Sequence, residues 1–317
     1  MKIQLSAALV ISACLAFLAS VTNASELYIS SGATDSVLGY DAESGAFIDA
    51  FVPTGSGGLD NPRGITFGPD GNLYVASSSS NDAILRYHGN TGAFIDVFAS
   101  SGSMGAPIDP FGITFGPDGN LYSSDLTSDE VLRFNGATGA FIDTFASGGG
   151  LNGARGLVFG PDGNLYVSSA DTDSVLRFDG ISGAFIDVFA DEVDSRGLTF
   201  GADSNLYVAD FDDGDVKQFN GMTGALIGTF ASGIGGPVGV EFGPGGDLYV
   251  SGFLTNNVLR FEGVSGAFID EIVPSGSGGL EQPRLFVIKE TSSVPEPLTI
   301  FLVTVGIGVV MSMKRKQ

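Results

Sequence analysis

Gly64-Ile65-Thr66-Phe67-Gly68-Pro69-Asp70-Gly71-Asn72-Leu73-Tyr74-Val75 returns with small changes from Gly112, Gly156, Gly197 and Gly239, at intervals of 48, 44, 41 and 42 residues. A fixed period of this size marks a chain built from repeated supersecondary units. Each unit holds four short apolar runs, here Gly64–Phe67, Asn72–Ala76, Ala83–Tyr87 and Ala93–Ala99. They are rich in Val, Ile, Phe and Tyr and too short for helices, so strands are expected. Gly68-Pro69-Asp70-Gly71 joins the first two runs, with Pro where a turn needs φ near −65° and Gly where φ is positive. Glycine-rich hairpins such as Asn135-Gly136-Ala137-Thr138-Gly139 join the last two. Four antiparallel strands per repeat of this length predict propeller blades.

The ends of the array set the number of blades. Glu26-Leu27-Tyr28-Ile29 aligns with the second run of a unit whose first run is missing. That run stands at the far end, where Leu280-Glu281-Gln282-Pro283-Arg284-Leu285-Phe286-Val287-Ile288 matches the segment from Leu59 to Phe67. The fold expected is therefore all-β: a six-bladed β-propeller with four antiparallel strands per blade. Residues 285–288 complete blade 1 and remove its open edge.

Composition narrows the function. The 317 residues include 48 glycines, which act as turn punctuation and show no collagen period. The chain is 43% apolar, with 25 Phe and 8 Tyr, which supplies a core and argues against disorder. Lys and Arg total 14 against 36 Asp and Glu, a net charge of −22 that repels phosphate backbones and excludes a nucleic-acid partner. One cysteine, Cys14, and one histidine, His88, exclude disulfides, zinc-finger ligand sets and Cys/His nucleophile pairs.

Both ends read as addresses. Met1-Lys2, an apolar run from Ile3 to Val21 and Thr22-Asn23-Ala24 before Ser25 form a signal peptide over residues 1–24. Ile11-Ser12-Ala13-Cys14 also fits a lipoprotein box, but the run stays apolar after Cys14. At the other end, residues 291–317 hold the linker Thr291-Ser292-Ser293, then Val294-Pro295-Glu296-Pro297. Sixteen uncharged residues, 298–313, and Lys314-Arg315-Lys316 follow. As a helix the sixteen residues span about 24 Å, slightly short of a bilayer core. A plain membrane anchor is one reading. The three parts in this order resemble the PEP-CTERM sorting signal of Gram-negative bacteria. That resemblance implies a transient membrane contact through helix 298–313 and recognition by an exosortase-type membrane protease. It also implies delivery to the cell surface or to extracellular polysaccharide. Between the signals, residues 25–290 form the propeller domain. Residues 25–293 hold 10 basic against 35 acidic side chains, a balance of −25.

The copies resemble NHL-type repeats, most visibly Asn205-Leu206-Tyr207-Val208-Ala209-Asp210 followed by Asp215-Val216-Lys217-Gln218-Phe219. The likeness covers Glu26 to Glu290. It implies relatives that include sugar-lactone hydrolases, a streptogramin lyase and binding or scaffold modules, so function must be argued from sites.

Comparing copies within the chain separates scaffold from candidate site. Arg86, Arg133, Arg177 and Arg260 on the third run each precede an aspartate by ten residues: Asp96, Asp143, Asp187 and Asp270. That offset across a hairpin predicts cross-strand ion pairs, a structural role. Gln218 and Gly228 have lost both members, and Gly39 faces a retained Asp49. A second set, Arg63, Arg155, Arg196 and Arg284, precedes the innermost run, with Phe111 and Val238 as exceptions on opposite blades. Four guanidiniums are expected to rim one mouth of the channel in two neighbouring pairs. They form either a site for an anion such as a uronate or sulfate of polysaccharide, or ion pairs with Asp60, Asp194 and Asp210. Acidic loops at 171–173, 191–194 and 210–215 suit either Ca²⁺ or plain solvation, and match no EF-hand spacing. Asp125 and Asp210, at equivalent ends of the second run, are the candidate metal ligands of a lactonase-like site. His88 stands at a turn position filled elsewhere by Asp, Asn or Glu, whereas the lyase resemblance calls for a site histidine. The reading that follows is a non-catalytic surface module, binding anionic polysaccharide or another surface protein. The alternative is a metal-dependent hydrolase or lyase working at the channel mouth.

Overall fold

The computed structural model describes residues 25–79, 82–101 and 108–290. The expected signal peptide and the segment 291–317, with its helix 298–313, lie outside them. Among the described residues no helix is long and apolar enough to cross a membrane.

Six four-stranded antiparallel sheets form the unit, all but one built from consecutive strands. In blade 2 the strands are Pro62–Phe67, Leu73–Ser77, Ala83–Tyr87 and Phe94–Ser100, within two residues of the expected runs. Blade 1 joins the two ends of the array. Its inner strand is Pro283–Glu290, paired with Ser25–Ser31 so that Phe286 faces Ile29 and Ile288 faces Leu27. The ring is closed, as the split copy requires, and no blade is left half built.

Packing between blades repeats one aromatic contact. Tyr74 lies edge-on to Phe98 of its own blade at 4.8 Å and to Phe115 of the next at 5.0 Å. Tyr122, Tyr166 and Tyr207 repeat this geometry. Each such pair adds roughly 0.5–1.5 kcal/mol beyond its buried area. At the closing seam Ile272 and Ile288 replace the phenylalanines around Tyr249, whose hydroxyl instead donates to the Ala42 carbonyl at 2.7 Å.

The cross-strand arginines are scaffold. Arg86 sits opposite Asp96 and holds it through Nε at 3.0 Å and Nη2 at 2.5 Å; Arg133, Arg177 and Arg260 do the same with their aspartates. Two of the departures fall at the expected register, Gln218 opposite Gly228 and Gly39 opposite Asp49.

Candidate anion site at the channel mouth

The second arginine set owes its aim to a backbone irregularity. In blade 2, Pro62 pairs with Ser77 but Ile65 pairs with Val75, so Arg63 and Gly64 stand opposite Ala76 alone. This is a β-bulge, which twists the strand and redirects a side chain. The same register shift recurs at Arg155, Arg196 and Arg284, and at Phe111 and Val238. A glycine follows the bulged residue in five of the six blades, Leu285 after Arg284 being the exception, and the neighbouring blade requires it. A Cβ on Gly112 or Gly156 would lie 2.4 or 2.3 Å from the carbonyl oxygen of Arg155 or Arg196. Serines of the preceding blade hold these carbonyls: Ser168 donates to Arg196 at 2.8 Å, Ser251 to Arg284 at 2.7 Å, and Ser124 to Arg155. The scaffold thus fixes the arginine backbones on one face of the ring. The Gly-Pro-Asp-Gly turns and the hairpins of the outer strands lie on the opposite face.

Two of the four guanidiniums have carboxylate partners. Arg63 donates to Asp109 at 2.8 Å and Arg196 to Asp194 at 2.9 Å. The internal-pairing reading therefore holds for Arg196 and Asp194, while Asp60 and Asp210 form no ion pair with the set among the described residues. Among the described residues Arg284 reaches only the neutral Asn61 side-chain oxygen, at 3.0 Å. Arg155 forms no side-chain hydrogen bond among the described residues; it lies over the Phe111 ring at 5.2 Å. The Nε atoms of Arg63, Arg155 and Arg284 are buried and unpartnered there. Burial, then the neighbouring Arg196, pushes Arg155 down to about 10; burial, then Arg63 and Arg155, does the same to Arg284. Both remain cationic at neutral pH.

Aromatic rings complete the mouth. Phe111, an exception to the arginine pattern, carries Arg63 at 5.4 Å as well as Arg155; Phe211 carries Arg196 at 4.7 Å and Phe253 carries Arg284 at 5.2 Å. A cavity of about 160 Å³ lies among Arg155, Arg196, Arg284 and these three rings. Phe211 and Phe253 were not singled out from the sequence. Their signal is there: the equivalent position after the second strand holds Gly32, Ser78, Leu126 and Ala170 in the other blades. Of the four guanidiniums only Arg63 and Arg196 are in ion-pair contact with a carboxylate among the described residues; Asp171 acts on Arg155 from further away.

The candidate metal ligands are not brought together. Asp125 and Asp210 belong to blades 3 and 5, with blade 4 between them. Asp125 is buried and saturated by N–H donors from Asp109 at 2.7 Å, Thr127 at 2.9 Å and Ser128 at 2.8 Å, with the Ser128 hydroxyl at 3.0 Å. It thereby orients the loop that presents Asp109 to Arg63. Asp210 lies close to Asp213 and Asp215, and an ammonium already stands among them. Lys217 Nζ is 3.5, 2.6 and 3.3 Å from the three carboxylates. A Ca²⁺ ion would have to displace that lysine, so the donor set as folded does not fit the ion. Lys217 occupies a position that is Leu38, Leu85, Leu132, Leu176 and Leu259 in the other blades. His88 is exposed on an outer hairpin of the turn face, where its Nδ1 accepts from Asn90 N–H at 3.3 Å.

One further residue marks the channel. Glu241 lines its wall with Thr66 and Thr114, accepts weakly from the Thr199 hydroxyl at 3.4 Å, and is pushed up to about 7 by burial. The equivalent positions hold Thr or Val.

The fold and this mouth define a six-bladed β-propeller with an arginine-rimmed channel. No family model matches the chain, and no curated protein matches its sequence. Solved structures share the fold. The nidogen/laminin complex matches at 19% identity and a TM-score of 0.65, over 83% of this chain and 98% of that one. Virginiamycin B lyase from Staphylococcus aureus matches in selenomethionine form at 15% identity, a TM-score of 0.54 and 71% and 73% coverage. A catalytically inactive variant of that lyase, with quinupristin, matches at 14% identity, a TM-score of 0.58 and 86% and 94% coverage.

Proposed function

We propose that this chain is a non-catalytic binding propeller. In this reading its channel mouth holds an anionic group of an extracellular polysaccharide, a uronate carboxylate or a sulfate. The observation that carries the reading is that Arg155 and Arg284 line a shared cavity and neither is in ion-pair contact with a carboxylate among the described residues. Planar guanidiniums match carboxylate and sulfate oxygens in pairs, and desolvation by the surrounding rings strengthens each contact. The cavity has room for the charged group and part of one sugar ring. The acidity of the rest of the domain repels a polyanion, so recognition of a chain end or an isolated charged residue fits best.

The terminal segments support a place for this activity. An exported chain carrying a PEP-CTERM-like tail, Val294-Pro295-Glu296-Pro297, would be released by an exosortase-type protease. It would then work at the cell surface or in the polysaccharide matrix, as a member of the NHL-like propellers. Both a binding complex and a lyase are among the structures of the same fold, and the residues favour binding. The inactive lyase carries a histidine-to-alanine change, whereas His88, the one histidine here, stands on the face opposite the arginines.

The test is a binding screen of the purified protein against neutral, uronate-bearing and sulfated oligosaccharides. Binding confined to the acidic glycans, weakening as salt rises and lost in Arg155→Ala/Arg284→Ala, is the expected result. Turnover of a lactone or a glycan by the wild-type protein, without such binding, would overturn the proposal.

A further inference from the structure

One position of the second strand varies in step with the channel mouth. From blade 1 to blade 6 it holds Ser30, Ala76, Ser124, Ser168, Ala209 and Ser251. The bulged residue of the blade that follows each is Arg63, Phe111, Arg155, Arg196, Val238 and Arg284. A serine stands before every arginine and an alanine before each exception.

The hydroxyls act across the seam between blades. Ser168 and Ser251 donate to the carbonyls of Arg196 and Arg284 at 2.8 and 2.7 Å, and Ser124 donates to that of Arg155. Ser124 and Ser251 are themselves oriented, because each accepts the glycine N–H of its own bulge, Gly112 at 2.8 Å and Gly239 at 2.7 Å. A bulge interrupts the ladder and leaves its extra residue without a regular partner. A donor on that residue's carbonyl fixes its peptide plane, and with it the direction of the side chain.

The need for such a donor follows from charge. Phe111 and Val238 are buried, and their own apolar surface drives them inward. Burial works against the guanidiniums of Arg155 and Arg284, and so do the neighbouring cations, Arg196 and Arg63 for the first, Arg63 and Arg155 for the second. A long cationic side chain left free turns its head to water. The fourth hydroxyl, that of Ser30, is buried and makes no hydrogen bond among the described residues. The arginine that follows it, Arg63, is held by Asp109 instead.

We propose that Ser124, Ser168 and Ser251 are positioning residues of the mouth, each holding the guanidinium of the next blade at the channel through that arginine's backbone carbonyl. Their part in binding rests on the reading of the mouth as an anion site; the positioning itself does not.

Ser124→Ala and Ser251→Ala test this in the full chain, alanine being what blades 2 and 5 carry at the same position. NMR relaxation reads the order of each arginine Nε–Hε bond without ligand, and titration with a galacturonate oligosaccharide then reads affinity. Ser251→Ala is expected to loosen Arg284 alone, and Ser124→Ala to loosen Arg155 alone. Ser168→Ala should loosen Arg196 less, because Asp194 still holds it. Ser124→Ala and Ser251→Ala should each weaken uronate binding about threefold to tenfold, the worth of one hydrogen bond. Ala209→Ser, which places a hydroxyl before Val238, should change neither readout. Folded variants in which Arg155 and Arg284 stay as ordered as in wild type would overturn the proposal. Loosened arginines in a protein whose wild-type form binds no uronate would support the positioning role and overturn the anion reading alone.

Discussion

A chain ended after Gln282 is expected to lose cooperative folding, whereas one ended after Thr291 is expected to keep it. The difference is the strand Pro283–Glu290, which comes last in sequence and innermost in blade 1. Without it Leu27 and Ile29, both fully buried, lose their cover, and the edge of Ser25–Ser31 is left open toward the channel. Phe286 alone, 8% exposed and part of the core between blades 6 and 1, is worth about 3–5 kcal/mol when truncated to alanine. That is a large share of the 5–15 kcal/mol by which a domain is ordinarily stable. Denaturant unfolding of the two truncations and of Phe286→Ala checks this. Equal midpoints for the two truncations would mean that ring closure contributes nothing.

Replacing Glu241 with glutamine is expected to stabilise the propeller by roughly 1–3 kcal/mol at pH 8 and by little at pH 4. Burial in the channel wall raises this carboxyl from 4.5 to about 7, and among the described residues no other ionisable side chain lines that stretch. Between those values the folded chain holds a proton that the unfolded chain has released. Stability therefore falls as pH rises through this window and levels off above about 7. The full displacement corresponds to at most roughly 3 kcal/mol, reduced because Glu241 faces channel space and not solid core. Unfolding of wild type and Glu241→Gln at pH 4, 6 and 8 should give curves that diverge with pH. A variant no more stable than wild type at pH 8 would show that the carboxyl ionises there without penalty.

The architecture was readable because the chain carries its own alignment. Five copies of one strand–turn–strand phrase exposed the blade, and the split copy at residues 26 and 285 exposed the closure. The ten-residue offset of Arg86 and Asp96 survives into the register because a hairpin is a local object. The site was only half readable, since its contacts cross between blades. Asp109, the partner of Arg63, is 46 residues away and is held in place by Asp125, which its place at the end of the second run and the lactonase resemblance make a candidate metal ligand. Phe211, Phe253, Lys217 and Glu241 each depart from what the other copies hold. The departures were visible in the sequence, but what they touch depends on how the ring curves. The bulge that turns Arg155 and Arg284 into the mouth leaves no mark in residue type beyond the glycine that follows in blade 4.

The most direct measurement of the central claim is the set of arginine side-chain Nε–Hε resonances, followed by NMR as a uronate oligosaccharide is added. The account predicts that the resonances of Arg155 and Arg284, whose Nε atoms lack partners among the described residues, shift and saturate together. Those of Arg86, Arg133, Arg177 and Arg260, already held by aspartates, should stay in place. Resonances of Arg155 and Arg284 that remain unmoved at saturating uronate and sulfate would contradict it.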